Sequence, residues 1–130
     1  MQTVPPIDNR RLMVVDDDHD LVDSLCELIC LCSSWMAIGA YGPADAIAQA
    51  GVRAPDAILL DMEMNGVDGF ETATRLQTAT GERHPALFAL TGNDRLRDLA
   101  SRDSRFTASI LKPADVTGLL KLLEKVSAAL

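Results

Sequence analysis

Short apolar runs alternate with amphipathic helical segments along this 130-residue chain, and this alternation limits the possible folds more than any other feature. Each run has the length and composition of a strand that is buried on both faces. The predicted strands cover residues 11–15, 36–41, 57–60, 86–90 and 109–111. Strands that alternate with helices in this way predict a parallel sheet with right-handed crossovers and helices on both faces. The expected fold is an α/β, doubly wound (βα)5 sheet.

Apolar residues spaced three and four apart predict the helices between these strands. The first helix has Asp18 or Asp20 available as its N-cap. Pro43 opens an Ala-rich second helix that ends near Gly51. The remaining helices are predicted over 70–78, over an Arg-rich segment at 94–102, and after Pro113.

Composition and charge exclude several classes of protein. With 48% hydrophobic and 24% charged residues, the chain is typical of soluble globular proteins, and its length suits one domain. We therefore expect a leader at 1–10 and one domain at 11–130, without a separate output domain. The net charge of −7 argues against direct binding to nucleic acid or anionic lipid. No run could span a bilayer and the first residues do not form a secretory signal, so the cytoplasm is the predicted location.

The three cysteines, Cys26, Cys30 and Cys32, lie in one apolar segment of the first helix. Their number is odd, and they lack both CxxC spacing and a histidine at metal-ligand distance. We expect them to be small, buried hydrophobic residues in the reduced state rather than a redox or metal site.

Four of the five predicted strands end on polar residues with useful chemistry. These residues are Asp16 and Asp17, Asp61, Thr91 and Lys112. The second strand has no such residue and is expected at an edge. In a doubly wound sheet, ligands bind beyond the carboxyl ends of the strands, where the strand order reverses. With the order 2-1-3-4-5, the aspartates of the first and third strands converge at that point.

Three carboxylates in one small volume require a compensating cation. Oxygen ligands without His or Cys favour a hard ion such as Mg²⁺, and Mn²⁺ suits the same ligands. A carboxylate beside such an ion can act as a nucleophile toward phosphorus. Lys112 and Thr91 have the right chemistry to stabilise the phosphoryl oxygens.

The chain resembles the receiver domain of two-component response regulators from about Arg11 to the last helix. VVDDD is similar to the acidic pair after that family's first strand, and LLDMEMNGVDGFE to its phosphoacceptor segment. ALTG is similar to the threonine that ends its fourth strand, and ILKP to the Lys-Pro pair that ends its fifth. Each motif by itself is weak evidence for this family, but the four motifs in this order are specific to it.

The resemblance implies a role for each matched position. Asp61 matches the phosphoacceptor. The metal would be held by Asp61, by Asp17 directly, by Asp16 through water, and by the backbone carbonyl of Glu63. Thr91 matches the hydroxyl that hydrogen-bonds a phosphoryl oxygen.

The resemblance further implies that Lys112 pairs with another phosphoryl oxygen and that the Lys112–Pro113 peptide is cis. The implied reaction is transfer of a phosphoryl group from a phosphohistidine to Asp61, followed by hydrolysis. The donor would be a sensor histidine kinase or a histidine phosphotransfer protein, and the signal would pass to a downstream protein, with a homodimer also compatible. Such a domain is a phosphoacceptor rather than an enzyme, although it assists its own phosphorylation and dephosphorylation.

Three departures from the family pattern affect the expected switching. Ser109 occupies the position of the usual inward-swinging aromatic residue, and Phe106 is either its substitute or a core residue. The segment 101–106 replaces a small turn, and its charges are typical of a solvated face. Asn65 replaces a proline, and Glu63 could reach the metal's water shell, pair with Lys112 or repel an anion.

Other classes of protein use similar residues. A phosphatase of the haloacid dehalogenase type requires Asp-x-Asp, whereas this chain has Asp61-Met62-Glu63. A flavodoxin-like cofactor binder would need a first loop rich in Gly, Ser and Thr, because aspartates repel phosphate. A degenerate receiver that acts only as a binding module stays open because of Ser109.

Overall fold

A parallel five-stranded sheet forms the centre of the protein in the computed structural model, which describes residues 10–129. Along the chain the strands are β1 (Arg11–Val15), β2 (Met36–Ala40), β3 (Ala57–Asp61), β4 (Glu63–Met64), β5 (Val67–Asp68), β6 (Ala86–Thr91) and β7 (Phe106–Leu111). The order β2-β1-β3-β6-β7 confirms the predicted topology and places β2 at an edge. Of the predicted leader at 1–10, all but Arg10 lies outside the described residues.

Five α-helices pack around the sheet within residues 10–129, as predicted; four lie between strands and the fifth follows β7. They are α1 (His19–Cys32), α2 (Pro43–Val52), α3 (Gly69–Thr80), α4 (Asp94–Ser101) and α5 (Val116–Ala129), with a 3₁₀ turn at Gly81–Arg83. None of the helices within residues 10–129 is long and apolar enough to cross a membrane. Asp18, rather than Asp20, is the N-cap of α1, because its carboxylate accepts a hydrogen bond from the Leu21 amide.

Two elements differ from the sequence-based prediction. The last strand begins at Phe106 rather than at residue 109, since the polar residues in FTASIL obscure its pattern. The short β4–β5 hairpin was not predicted, because each of its strands has only two residues. Asn65 and Gly66 form its turn with φ values of 49° and 75°, the left-handed region that Asn and Gly tolerate best.

The sheet is packed on both faces, and alternate residues of each inner strand point to opposite sides. Met13 and Val15 of β1 belong to the core layer that includes residues of α2, α3 and α4. Leu12 and Val14 belong to the layer that includes residues of α1 and α5. Because both faces are covered, a ligand can approach the sheet only at its edges or at the ends of its strands.

The predicted burial of the cysteines is wrong for two of the three. Cys26 is half-buried, but Cys30 and Cys32 are exposed, and all three are free thiols. The buried face of α1 consists of Val22, Leu25 and Ile29, which is narrower than the apolar stripe in the sequence. Leu21 and Cys26 pack partly against this core, whereas Leu28 and Cys32 are exposed.

Gly69, the first residue of α3, lies very close to the residue that follows Asp61. A Cβ atom at this position would lie 2.6 Å from the Cα atom of Met62. We expect Gly69→Ala to lower the free energy of unfolding by about 1–3 kcal/mol, because the backbone of Met62 must shift. Urea denaturation followed by circular dichroism measures this change.

Gly51→Ala in α2 is the matched control. An added methyl group at Gly51 meets nothing within 4 Å. Since alanine favours the helix more than glycine does, this variant should be unchanged or more stable by up to about 1 kcal/mol. Equal destabilisation by both substitutions would show that the contact with Met62 is unimportant.

Candidate functional site

Three carboxylates meet at the carboxyl ends of β1 and β3, as the sequence predicted. The two strands are neighbours, with Val15 paired to Leu60, so the residues that follow or end them lie side by side. Ligand oxygens of Asp16, Asp17 and Asp61 all lie within 4.8 Å of one another. Asp16 and Asp61 are buried, whereas Asp17 is partly exposed.

Lys112 provides the positive charge for this cluster. Its ammonium nitrogen lies 2.9 Å from Oδ2 of Asp16 and 3.2 Å from Oδ2 of Asp61. The Lys112–Pro113 peptide is cis, as the family resemblance implied. The backbone amide of Lys112 donates a hydrogen bond of 2.8 Å to the carbonyl of Thr91, which joins the ends of β6 and β7.

Thr91 ends β6, the strand beside β3, and its side chain is buried. Its hydroxyl oxygen accepts a hydrogen bond of 3.1 Å from the amide of Asn93. The hydroxyl proton is thus not used in that bond and can be donated to another group. Asn93 is also the N-cap of α4, so Thr91 and the start of α4 are directly connected.

Three site residues each accept a hydrogen bond from the backbone amide two residues later in the sequence. This arrangement was not predicted. Oδ1 of Asp16 accepts from the amide of Asp18 at 3.0 Å, and Oδ1 of Asp61 accepts from the amide of Glu63 at 3.1 Å. Thr91 and Asn93 repeat this spacing. Asp and Thr side chains commonly bond the backbone two residues later, and this tendency was the available sequence signal.

Burial is the main influence on Asp61 and raises the pKa of its carboxyl to about 6. The amide of Glu63 opposes this change, the charge of Asp16 adds to it, and Lys112 opposes it again. A carboxyl group with this pKa is protonated in part near neutral pH. Of the two buried carboxyl groups, Asp61 is therefore the one that takes up a proton at the higher pH.

Asp16 and Lys112 are held in their charged forms. Burial acts to raise the pKa of Asp16, but hydrogen bonds from Lys112 and from the Asp18 amide outweigh it and keep that pKa below its ordinary value. Burial likewise acts to lower the pKa of Lys112, but its bonds to Asp16 and the charge of Asp61 outweigh it and raise that pKa.

The cluster suits a hard divalent cation. Its candidate ligands are all carboxylate oxygens, which favour Mg²⁺ or Mn²⁺ over softer metals. The buried Oδ2 atoms of Asp16 and Asp61 face the Lys112 ammonium at 2.9 and 3.2 Å and accept no backbone hydrogen bond within the described residues. Glu63 begins β4 with an exposed side chain, and no ion pair among residues 10–129 joins it to Lys112. The ligand role of its carbonyl stays a prediction.

Ser109 and Phe106 have different surroundings. The Ser109 hydroxyl donates a hydrogen bond of 3.0 Å to the backbone carbonyl of Arg97 in α4. Phe106 is buried and packs edge-to-face on Phe70 of α3, with ring centroids 5.9 Å apart. Phe106 is therefore a core residue and not an aromatic group beside Thr91.

The segment 101–106 is attached to α3 by Arg105. This arginine pairs with Asp103 at 2.8 Å and donates from Nη1 to the Thr74 hydroxyl at 2.7 Å and the Phe70 carbonyl at 3.2 Å. The expectation of a freely solvated mixed-charge face therefore holds for Ser101 and Arg102, which are exposed, but not for Arg105.

Comparison with known proteins agrees with this geometry. The family model described as the response regulator receiver domain matches residues 12–124, most of the chain. The chain belongs to this family. The matched residues include all four motifs discussed above.

Individual proteins are similar to this receiver domain over most of its length. A response regulator receiver domain protein (CheY-like) from Methanospirillum hungatei JF-1 has a TM-score of 0.80 and 21% identity, with 93% of this chain and 96% of that chain covered. A putative response regulator from Chloroflexus aurantiacus J-10-fl has a TM-score of 0.78 and 21% identity, with 93% and 99% covered. At these identities the two structures establish the fold alone.

A curated relative is similar in sequence but much longer. It is the protein-glutamate methylesterase/protein-glutamine glutaminase of Trichodesmium erythraeum (strain IMS101), 29% identical over 119 residues. The match covers 89% of this receiver domain but only 34% of the relative, so the chain spans about a third of that protein.

Removal of the Asp61 charge should stabilise the metal-free domain. Because the pKa of Asp61 rises from 3.8 to about 6 on folding, the folded protein retains a proton that the unfolded chain releases, and stability falls as the pH rises through this window. At about pH 7, we expect the free energy of unfolding of Asp61→Asn to exceed that of the wild type by on the order of 2 kcal/mol. Below about pH 4, the two proteins should be almost equally stable. Urea denaturation in EDTA at several pH values measures the difference.

Asp98→Asn is the control, since Asp98 is an exposed carboxylate on α4. It should show no gain in stability that grows with pH. If Asp61→Asn were less stable than the wild type at neutral pH, burial would not dominate the electrostatics of Asp61.

Proposed function

We propose that this receiver domain accepts a phosphoryl group on Asp61 from the phosphohistidine of a sensor histidine kinase or a histidine phosphotransfer protein. The observation that supports this most is the buried Oδ2 of Asp61, which accepts no backbone hydrogen bond among the described residues and lies 3.2 Å from the Lys112 ammonium. Kinases of this class act in the cytoplasm, which is the location that goes with the proposal.

The proposed reaction forms one bond and breaks one bond. A carboxylate oxygen of Asp61 bonds to phosphorus while the phosphorus–nitrogen bond of the donor breaks, and the bonding electron pair stays on the imidazole nitrogen, which then takes up a proton. Water later attacks the aspartyl-phosphate and releases inorganic phosphate and the free carboxylate. Asp61 has to be ionised to attack, so proximity of positive charge favours the reactive form.

Each surrounding residue has a distinct part in this proposal. Lys112 moves its ion pair from the Asp61 carboxylate to a phosphoryl oxygen. Thr91 donates its free hydroxyl proton to a second phosphoryl oxygen. Mg²⁺, held by Asp16, Asp17, Asp61 and the Glu63 carbonyl, would supply positive charge against the remaining phosphoryl oxygens.

The signal would be displayed at α4 and β7. A shift of Thr91 toward the phosphoryl group pulls on Asn93, the N-cap of α4. The bond from Ser109 to the Arg97 carbonyl holds α4 against β7 in the unmodified protein. In this atypical switch, phosphorylation weakens that bond, and α4 changes its position for a downstream protein.

Ser109 also favours a second candidate, a degenerate receiver that binds its partner without phosphorylation. The aromatic residue of the usual switch is absent, and Phe106 is fixed in the core. The complete set of Asp16, Asp61 and Lys112 favours the phosphoacceptor instead.

Incubation with Mg²⁺ and acetyl phosphate, followed by intact-protein mass spectrometry, tests the phosphoacceptor. The wild type should gain one phosphoryl group, and Asp61→Asn should gain none, because its amide is a poor nucleophile. Omission of Mg²⁺ or addition of EDTA should also abolish the modification. Asp98→Asn should react like the wild type. An unmodified wild type would support the degenerate receiver.

Hydrogen exchange tests the role of Ser109. A single hydrogen bond contributes about 0.5–1.5 kcal/mol, so Ser109→Ala should accelerate exchange of the α4 amides by about two- to tenfold before phosphorylation. In the wild type, phosphorylation itself should bring the α4 amides toward that faster rate. Mass spectrometry of peptides from α4 and β7 measures both effects.

Ser101→Ala is the matched control for this experiment. The Ser101 hydroxyl donates to the Asp98 carbonyl within α4 itself, at 2.7 Å, and makes no bond to β7. This variant should leave the exchange of the β7 peptide unchanged. If Ser109→Ala left the hydrogen exchange of the α4 amides unchanged, the bond to Arg97 would not hold the helix in place.

A further inference from the structure

A cavity lies at the amino-terminal ends of the strands, at the opposite end of the sheet from Asp61. Arg11 begins β1, Arg53 follows the last residue of α2, and Arg83 ends the 3₁₀ turn after α3. Together with Asp56 and Thr80 they line a cavity of about 420 Å³, which we call the basic cavity. Three elements that are far apart in sequence therefore bring arginines to one place.

The charges of these arginines are not neutralised by ion pairs within the described residues. Among residues 10–129, no ion pair joins Arg11, Arg53 or Arg83 to a carboxylate. The acidic residue that lines the cavity, Asp56, accepts a 2.8 Å hydrogen bond from the backbone amide of Arg11. A local excess of positive charge is unusual in a chain with a net charge of −7.

The guanidinium groups of Arg11 and Arg53 are also close enough to affect each other. Burial lowers the pKa of Arg11, and the positive charge of Arg53 lowers it further, while Asp56 opposes both. Like charges held close together are unfavourable unless an anion lies between them. The folded chain thus maintains a repulsion that a bound anion would remove.

The nearby helix ends explain only part of this arrangement. The carbonyl groups at the end of a helix attract cations, and Nη1 of Arg11 donates to the carbonyl of Arg53 at 3.4 Å, the one such contact of these three arginines within residues 10–129. Arg53 and Arg83 are exposed, and their guanidinium groups make no hydrogen bond within the described residues. Both are therefore available to a ligand.

We propose that the basic cavity binds a small phosphate-bearing anion with several negative charges, such as inorganic triphosphate or the phosphate chain of a nucleotide. One guanidinium group can donate two parallel hydrogen bonds to the oxygens of a phosphate group. An anion with several phosphate groups therefore suits two or three arginines. None of the described residues that line the cavity is aromatic, so a nucleobase has no ring on which to stack. Recognition would rest on the phosphates alone.

Isothermal titration calorimetry of the full chain with sodium triphosphate tests this proposal. EDTA is present throughout, so that no divalent metal contributes to binding near Asp61. The variant Arg53→Gln/Arg83→Gln should bind at least about tenfold more weakly than the wild type, because it loses charge-assisted hydrogen bonds. The control Arg102→Gln/Lys121→Gln removes two exposed charges outside the cavity and should bind within about twofold of the wild type.

Two further measurements locate the anion and define it. Amide NMR shifts should concentrate at Arg11, Arg53 and Arg83, whereas shifts confined to Asp61 and Lys112 would overturn the proposal. ATP should bind within about threefold of triphosphate, and much tighter binding of ATP would overturn recognition by phosphates alone. If both double variants bound triphosphate equally weakly, the loss of affinity would be explained by net charge alone. This result would also overturn the proposal. None of these results depends on whether Asp61 is phosphorylated.

Discussion

The site depends on a single ammonium group shared between two buried carboxylates. Lys112 lies 2.9 Å from Asp16 and 3.2 Å from Asp61, and without it two like charges would face each other at the end of a dry sheet. The ion pairs keep Asp16 ionised and leave Asp61 as the carboxyl group with a raised pKa. A new anionic group on Asp61 therefore changes the partner of the lysine as well as its own charge.

The backbone around Lys112 connects this electrostatic centre to the rest of the fold. Its amide bonds the Thr91 carbonyl, and the Thr91 side chain bonds the amide of the residue that caps α4. Ser109, three residues before Lys112 on β7, bonds α4 from the other side. The first turn of α4 is thus attached to the site, and the middle of α4 is attached to β7. A change at one attachment therefore affects the other.

The sequence predicted the strand order and the meeting of Asp16, Asp17 and Asp61, because parallel strands that end on polar residues leave little choice of topology. It could not predict the start of β7 at Phe106, since exposure of Thr107 and partial burial of the following residues give no clear alternation. The burial of Cys30 and Cys32 was wrong because an apolar stripe does not reveal how much of a helix its neighbours cover. The bonds from the amides of Asp18 and Glu63 depend on loop geometry, which composition alone does not specify.

Those amide bonds also bear on how a cation would bind to the cluster. Asp16 and Asp61 each accept a backbone hydrogen bond on Oδ1, so their Oδ2 atoms are the oxygens that an ion could take without competing with that bond. Calcium prefers about six to eight oxygens and often takes both oxygens of one carboxylate, whereas magnesium takes six and keeps several waters. Binding of magnesium through single Oδ2 atoms would leave both loop bonds intact, whereas bidentate binding of calcium would use Oδ1 atoms that already accept a backbone hydrogen bond.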